Sequence, residues 1–576
     1  MKDSENTPVS VKKETSFFVL RSTFRIFAPK MRKIVLILIS VLGMALVLKA
    51  QPKYEVRAVW LTTIGGIDWP TTYAHDGMGI AMQQQELCRM LDRLKAVHVN
   101  TVLLQTRVRA TTIYPSELEP WDGCLSGCPG RSPDYDPLQF AIDECHRRGM
   151  ELHVWVVTIP VGKWNTYGCQ QIRRRYPSLI KKIGEEGYMN PESSMTADYL
   201  ADICEEITRK YDIDGIHLDY IRYPETWRGS KSAEYITRIV RSIHHRVKLH
   251  KPWVKLSCSP IGKYDDLSRY NSRGWNARRK VAQDAQDWLR HGLMDQLYPM
   301  MYFQGNNFYP FAIDWQEQSA GRTIVSGLGI YMLHPRERNW PLTEVRRQLN
   351  VTRQLGIGHC YFRAKFLLDN VKGIYDFVKD FDRHPALIPA LTGTTYPAPA
   401  PPARLNVQHT AQGDRLTWSG AQDRSDGPYL LYNIYASTDE SVDISDPANL
   451  IATRHLWQHL TLRRSANKAP LHYAVTAVDR YGNESQAVYE HPHSADGTKY
   501  KSQSLLPNDG RTLTLSLSTT CDADYLAVCT LQGTIIHTCH NNPQIDIRSL
   551  SNGIYELRSL NRKGIMHRLG YFIIKR

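Results

Sequence analysis

Between Tyr54 and Phe381 short β-rich runs alternate with amphipathic helical stretches eight times over, and few folds accept such a pattern. The strand candidates are Val56–Thr62, Thr101–Val108, Leu152–Thr158, Gly215–Ile221, Lys255–Ser259, Gln296–Phe303, Thr323–Ile330 and Gly358–Phe362. Helical periodicity falls between them, over Gln83–Val97, Pro137–Arg148, Thr196–Tyr211, Ala233–His250 and Leu342–Leu355, for example. Eight strand–helix units in succession are what a parallel β/α barrel needs to close. A doubly wound open sheet would put Gly-x-Gly-x-x-Gly after its first strand, and none stands there. The expected fold class is α/β: an eight-stranded β/α (TIM) barrel over residues 54–385, followed by two small β-sandwich domains.

A Pro-rich linker, residues 386–403 with Tyr396-Pro-Ala-Pro-Ala-Pro-Pro-Ala403 at its end, closes the barrel and implies few contacts across it. Alternating strands follow within 404–492: Arg404–Val407, Asp414–Trp418, Leu430–Ser437 and His472–Val478. Trp418, the Tyr473-x-Val-x-Ala-x-Asp479 run and Gly482-Asn-Glu-Ser485 resemble a fibronectin type III module, which implies a spacer or binding appendage. Residues 505–576 carry strand, Gly turn and strand over Tyr525–Ile536, a hairpin pattern over Ile545–Leu557, and the ending Phe572–Arg576. That order resembles the C-terminal sorting domain of Bacteroidetes-type secretion; the other reading is one more β-sandwich. The first implies the outer cell surface or secretion, the second the periplasm.

The chain has 576 residues and a formal charge of +15, from 72 Lys and Arg against 57 Asp and Glu. Residues 1–50 hold nine basic and three acidic groups, so +6 of that excess lies there and the rest is diffuse. No basic cluster or zinc-finger spacing accompanies the charge, so nucleic acid is not an expected partner. The apolar run Ile34–Leu48, after Met31-Arg-Lys33, is short for a membrane span and matches a secretory signal ending near Ala50, within a 1–50 extension. The expectation is export, with no stable membrane insertion after signal removal; an uncleaved anchor is the alternative. Among eleven cysteines only Cys124 and Cys128 suggest a local disulfide, while Cys145, Cys204 and Cys258 sit in apolar patterns as buried thiols.

In β/α barrels reacting groups project from the C-terminal ends of the strands. The fourth strand reads Asp212-Ile-Asp-Gly-Ile-His-Leu-Asp-Tyr-Ile-Arg-Tyr-Pro224, and a period of two puts His217 and Asp219 on one face. A carboxylate inside an apolar run is costly without a task or a partner. Asp219 is therefore either a reacting group or a structural acid paired with Arg107 or Arg222. Strand ends also supply Trp60, Trp69, Trp155, Tyr223, Tyr298 and Tyr302, with Arg107, Arg109, Arg222 and Arg363. Aromatic platforms and fork-like donors suit sugar faces and hydroxyls. Glycoside hydrolysis further needs two carboxyl groups across the scissile bond. Asp68, Asp265, Asp266, Glu119 and Asp122 are the candidates for the second.

The motifs Arg57-Ala-Val-Trp60, Asp68-Trp-Pro70, Gln105-Thr-Arg107, Tyr114-Pro-Ser116, Glu119-Pro-Trp121 and Asp214–Pro224 stand in order along the barrel. Gln283-Asp284, Trp288, Gly292-Leu-Met-Asp295 and Tyr298-Pro-Met-Met-Tyr302 continue them. Together they resemble glycosyl hydrolase-like family 10, across roughly the whole barrel. The resemblance implies an exported glycoside hydrolase on bacterial cell-wall or related polysaccharide, peptidoglycan glycan strands among the candidates, with no cofactor or metal. It favours Asp68, beside Trp69, as the second catalytic residue to Asp219. Trp60, Arg107, Arg109, Trp155, His217, Arg222, Tyr223, Tyr298 and Tyr302 would bind substrate. The third strand departs from the family, reading Val157-Thr-Ile-Pro-Val161 where relatives have an Asn-Pro-Tyr-Arg-like segment, so the adjoining subsite does not carry over. Chitinase-like barrels end the fourth strand on a catalytic Glu, and here that position is Ile221. Two rivals remain: a metal-dependent hydrolase using His217, Asp219, His153 and His359, and a non-catalytic glycan-binding barrel.

Overall fold

The structure, a computed structural model, describes residues 51–490 apart from 271, 273, 411–412 and 464–469, together with 506, 508–515, 525–530, 535–540, 542, 544–560 and 566–576. The signal segment lies outside the described residues, as do parts of the C-terminal unit. Among the described residues no helix is long and apolar enough to cross a membrane.

The first eleven strands are β1 (Arg57–Leu61), β2 (Thr101–Arg107), β3 (Glu151–Val157), β4 (Pro160–Lys163), β5 (Ile180–Ile183), β6 (Glu186–Met189), β7 (Gly215–Asp219), β8 (Lys255–Cys258), β9 (Gln296–Leu297), β10 (Thr323–Leu328) and β11 (Gly358–Tyr361). Strands β1, β2, β3, β7, β8, β9, β10 and β11 pair in that order and close on themselves, as the sequence pattern requires. Their residues are almost wholly buried, because helices cover the outside and side chains fill the inside. Strand β9 stops at Leu297 rather than running to Phe303. Pro299 has no N–H to donate, and pairing resumes only as isolated bridges from Met300 to Ile261 and Gly327.

The outer helices begin where capping chemistry allows. Asp76 accepts from the Gly79 N–H at the head of helix Gly77–Ala96, and Asp136 accepts from Leu138 and Gln139 N–H ahead of Pro137–Arg147. Leu87, Leu91 and Leu94 form the inward stripe of the first of these helices. After β3 the chain inserts an antiparallel sheet, β4-β6-β5, which the sequence pattern did not announce.

Past the linker, strands Leu405–Thr410, Gly413–Trp418 and His459–Arg463 form one antiparallel sheet. Leu450–His455, Leu431–Ser437, His472–Val478 and Val488–Tyr489 form the other, and Trp418, Ile434, Tyr473 and Val475 pack between them. The linker's composition implied few contacts with the barrel, and the structure corrects this. Arg454 enters the N-terminal end of the barrel, with Nη1 3.1 Å from Glu151 Oε1 and Nη2 2.5 Å from Asp214 Oδ1. Arg480 adds contacts of 3.1 Å to Asp212 and 3.3 Å to Asp214. Lys255 also pairs with Glu151, and His146 Nε2 stands 2.8 Å from Asp214. Proline stiffens the linker but does not dictate where it leads.

Residues from Asn508 onward form a separate compact unit. Ile535–His540, Tyr525–Cys529, Gly553–Leu560 and Met566–Ile574 make an antiparallel sheet, beside a pair formed by Thr512–Thr514 and Gln544–Asp546. Leu513, Leu526, Val528, Ile545, Leu557 and Phe572 fill its core. The expected Cys124–Cys128 bridge is not formed. Both are free thiols, Cys124 buried on the short helix Gly123–Ser126 and Cys128 exposed beyond it.

Candidate functional site

Asp219 is the last residue of β7 and is buried at the C-terminal end of the barrel. Its Oδ2 accepts from Trp155 Nε1 at 3.1 Å, and its Oδ1 from Ser259 Oγ at 2.7 Å and the Tyr220 N–H at 2.8 Å. Its carbonyl receives the Thr158 N–H at 2.9 Å and hydroxyl at 2.8 Å. Every one of these donors is neutral, and Asp219 forms no ion pair, either with Arg107 or with Arg222. Burial pushes its carboxyl pKa up, against the opposing pull of the Ser259 bond and the Arg222 charge. A carboxyl so placed holds its proton above the ordinary carboxylate range.

His217, two residues back on the same face, is locked rather than free. Trp60 Nε1, which can only donate, lies 3.2 Å from His217 Nε2, so that nitrogen carries no proton. The proton is on Nδ1, 3.0 Å from Ser257 Oγ. Burial and the neighbouring His153 hold the imidazole pKa well below its usual value. Both nitrogens are thus engaged within the barrel, so His217, expected at the substrate, offers neither of them to a metal or a sugar in this arrangement. Among the described residues the one trio with ligand-like spacing is Glu55, His359 and Asp382. It sits at the opposite end of the barrel. Arg57 lies 2.8 Å from Glu55 and 3.3 Å from Asp382, and Arg353 2.6 Å and 2.5 Å from the same two. Two guanidiniums already balance its two carboxylates, so the donor set does not fit a cation.

The aromatic candidates divide into interior and rim. Trp60, Trp155 and Tyr298 belong to the packed inner layer, and Trp60 meets His217, Tyr298 and Phe362 edge-on at 5.8–6.1 Å. Tyr298 donates to Gln296 Oε1 at 3.0 Å. Tyr223 is wholly buried against Trp227. Trp60, Tyr223 and Tyr298, expected to face sugar, are thus placed in the packed interior, and Trp155 meets the site through its bond to Asp219. Tyr302 is half-buried and stacks on Phe362 at 5.3 Å. Tyr220, which sequence reasoning passed over, is 39% exposed directly after Asp219. Its φ of +53° ends the strand's alternation and turns its ring outward, with the Arg222 guanidinium 4.6 Å from the ring centre.

The arginines divide likewise. Arg107 is fully buried; Nε and Nη2 grip Glu119 at 2.8 and 2.6 Å, and Nη1 bonds the carbonyls of Val157 and Thr158. Arg107, expected at the substrate, is thus placed as a tie between β2, its loop and β3. Arg222 pairs with Glu225 at 2.6 Å, and Arg109 is exposed on the rim. Asp68 also differs from the freely reacting carboxylate expected. Oδ2 takes the Thr62 N–H at 2.9 Å and hydroxyl at 2.6 Å, while Oδ1 takes Arg363 and the Lys365 N–H. That is a brace between the loops after β1 and β11. Asp265 is paired with Arg278 and Arg279, and Asp122 caps the helix Gly123–Ser126. Ser259 and Glu225, missed from the sequence, follow the ends of β8 and β7, where a search confined to aromatic, Arg and Asp residues does not look.

The C-terminal face thus carries one buried carboxyl of raised pKa, with Tyr220, Tyr302 and Arg109 nearer solvent. Residues 55–235 and 225–333 match the model of the family Glycosyl hydrolase-like 10. Glycosyl hydrolase YngK of Bacillus subtilis (strain 168) is 27% identical over 492 residues, 78% of this chain and 95% of that protein. Glycosyl hydrolase DigH of Escherichia coli (strain K12) is 27% identical over 296 residues, 44% of this chain and 66% of that protein. Among solved structures, the glycoside hydrolase domain of PgaB (BpsB) from Bordetella bronchiseptica aligns at a TM-score of 0.40 and 13% identity, over 57% of this chain and 98% of that one. Residues 55–333, a little under half of the chain, are thus similar to the glycosyl hydrolase-like 10 family, and the chain is similar to two glycosyl hydrolases at 27% identity.

Proposed function

We propose that the protein is an exported glycoside hydrolase that cleaves O-glycosidic bonds of bacterial cell-wall or related polysaccharide, with Asp219 as the general acid. The observation that carries this reading is the state of Asp219. Asp68, Glu119, Asp265 and Glu225 are each ion-paired, whereas Asp219 is buried among neutral donors and burial pushes its carboxyl pKa up. A glycosidic oxygen leaves as an alcohol only if something protonates it, and a buried acid of raised pKa is suited to that task. Tyr220, Tyr302 and Arg109 supply the rim on which a sugar chain would lie, with Arg222 buried behind the Tyr220 ring. Asp68, which Arg363 and the first loop hold in place, is the second carboxyl that the reaction needs, as base or nucleophile.

Asp219→Asn is the test. Turnover on cell-wall glycan strands should fall by about 10²–10⁴-fold, the usual worth of general acid–base catalysis, with glycan binding retained. A variant that melts normally and hydrolyses within a few-fold of the parent overturns the assignment. The glycan-binding reading without catalysis is met if the parent binds glycan strands and degrades none of them.

A further inference from the structure

Where the sandwich strand Leu450–His455 meets the helix Pro137–Arg147, a groove of about 480 Å³ opens between barrel and sandwich. Its floor is a close approach: Gly149 has φ +69°, and a Cβ there would collide with the Thr453 carbonyl. Trp457 stands at the mouth, 49% exposed, with its ring 6.2 Å from that of His455. Helix C-termini lead into strand N-termini in this fold, so the groove lies at the end of the barrel away from Asp219.

Lys95, in the last turn of helix Gly77–Ala96, reaches into the groove. Its Nζ lies 3.5 Å from Thr453 Oγ1, and no carboxylate among the described residues pairs with it. The nearby acids are already engaged. Glu144 holds Arg147 at 2.8 Å and Arg148 at 2.5 Å, Asp92 holds Arg148 at 2.7 Å, and Asp214 holds His146. Burial pushes the Lys95 ammonium pKa down to about 8, the mark of a charge short of compensation. The Arg147 side chain, 67% exposed, adds positive potential at the edge.

We propose that this groove is an accessory site for a carboxylate-bearing sugar residue of an acidic glycan, with Lys95 taking the carboxylate and Trp457 stacking on the sugar face. An aromatic ring beside an uncompensated ammonium matches the apolar C–H face and single anionic group of a uronic acid-type unit. The choice of a sugar, rather than another carboxylate, rests on the glycoside hydrolase reading. No reacting group faces the groove, so its task is retention of the polymer.

Isothermal titration of the full chain with tetragalacturonate and with its methyl ester tests this. The acid should bind at least tenfold more tightly than the ester. Trp457→Ala and Lys95→Met should each weaken binding at least tenfold, while Lys95→Arg stays within a few-fold of the parent. Trp457 is at the surface, so its variant reads the site even if a Lys95 substitution disturbs folding. Absence of binding, equal binding of ester and acid, or binding indifferent to Trp457→Ala overturns the proposal. Turnover on cell-wall glycan is scored separately. Loss of hydrolysis with uronate binding intact counts against the catalytic reading and leaves the groove standing.

Discussion

Trp155 and Asp219 are joined across adjacent barrel strands, the indole N–H donating to the carboxyl at 3.1 Å. The β3–β7 register sets Trp155 opposite His217 and Val157 opposite Asp219, so the indole reaches diagonally to the strand end. A donor that cannot ionise orients the carboxyl without stabilising its charge strongly. The pH consequence follows. Asp219 is protonated below its raised pKa, and hydrolysis should fall as pH climbs through it, at a pH above the ordinary carboxylate value of 3.8. Trp155→Phe removes the bond, and its pH–rate profile should shift its basic limb further up while leaving the fold intact.

The sandwich should not be separable from the barrel. A chain ending near Asp382 strips Arg454 and Arg480 from Glu151 and Asp214, leaving these buried carboxylates with only Lys255 and His146 to offset them. Loss of a cooperative melt is the expected result, and a barrel that melts as the full chain does would refute it. Arg454→Met alone should destabilise by about 3–5 kcal/mol, read by urea titration.

The same cluster sets an acid limb. Burial alone would raise Glu151, but Lys255 and Arg454 outweigh it and bring the carboxyl down to about 2; Asp214 is held well below its usual value against burial by Arg454, His146 and Arg480. Carboxyls depressed in the fold contribute stability that is fully present above about pH 4.5 and is lost as pH falls toward 2. Stability measured from pH 6 down to pH 2 should therefore drop along this limb, and Arg454→Met should flatten it.

Arg107 and Glu119 give a test of structure against recognition. Glu119→Gln leaves a buried guanidinium without its anion and should cost about 3–5 kcal/mol of stability. KM measured on whatever folded fraction remains should hardly move. A raised KM with an unchanged melt would return Arg107 to the substrate.

His217 should stay neutral. Its ring ¹⁵N shifts should report one unprotonated Nε2 and a protonated Nδ1, unchanged between pH 5 and 8, because burial depresses its pKa. Titration within that window would mean that Trp60 does not hold Nε2 as described.

The barrel was readable because period and position carry it: all eight barrel strands overlap runs picked out by β-rich composition, and helix Ala233–His250 matches its apolar stripe end to end. Asp219 was readable for a related reason, a carboxylate in an otherwise apolar strand end. Its surroundings were not. Period two says which residues share a face, but not that His217 would be closed off by Trp60 from β1 and Ser257 from β8, since both partners come from other strands. Tyr220 and Tyr223 could be told apart only by the left-handed backbone after Asp219, which re-aims the side chains that follow. The arginines misled for the reverse reason. Arg107 looks like a fork for ligands, and its ligand is Glu119, twelve residues on.

Arg454 and Arg480 carry a consequence for descent. A module that only trails on a linker can be exchanged between genes like a bead on a string. Here the receiving carboxylates, Glu151 and Asp214, belong to the barrel and the answering guanidiniums to the sandwich. Recombination between them would leave the barrel acids under-compensated and the sandwich arginines without their acceptors. The two are expected to travel through lineages as one heritable block, and a barrel found without this sandwich should show other residues in place of both acids.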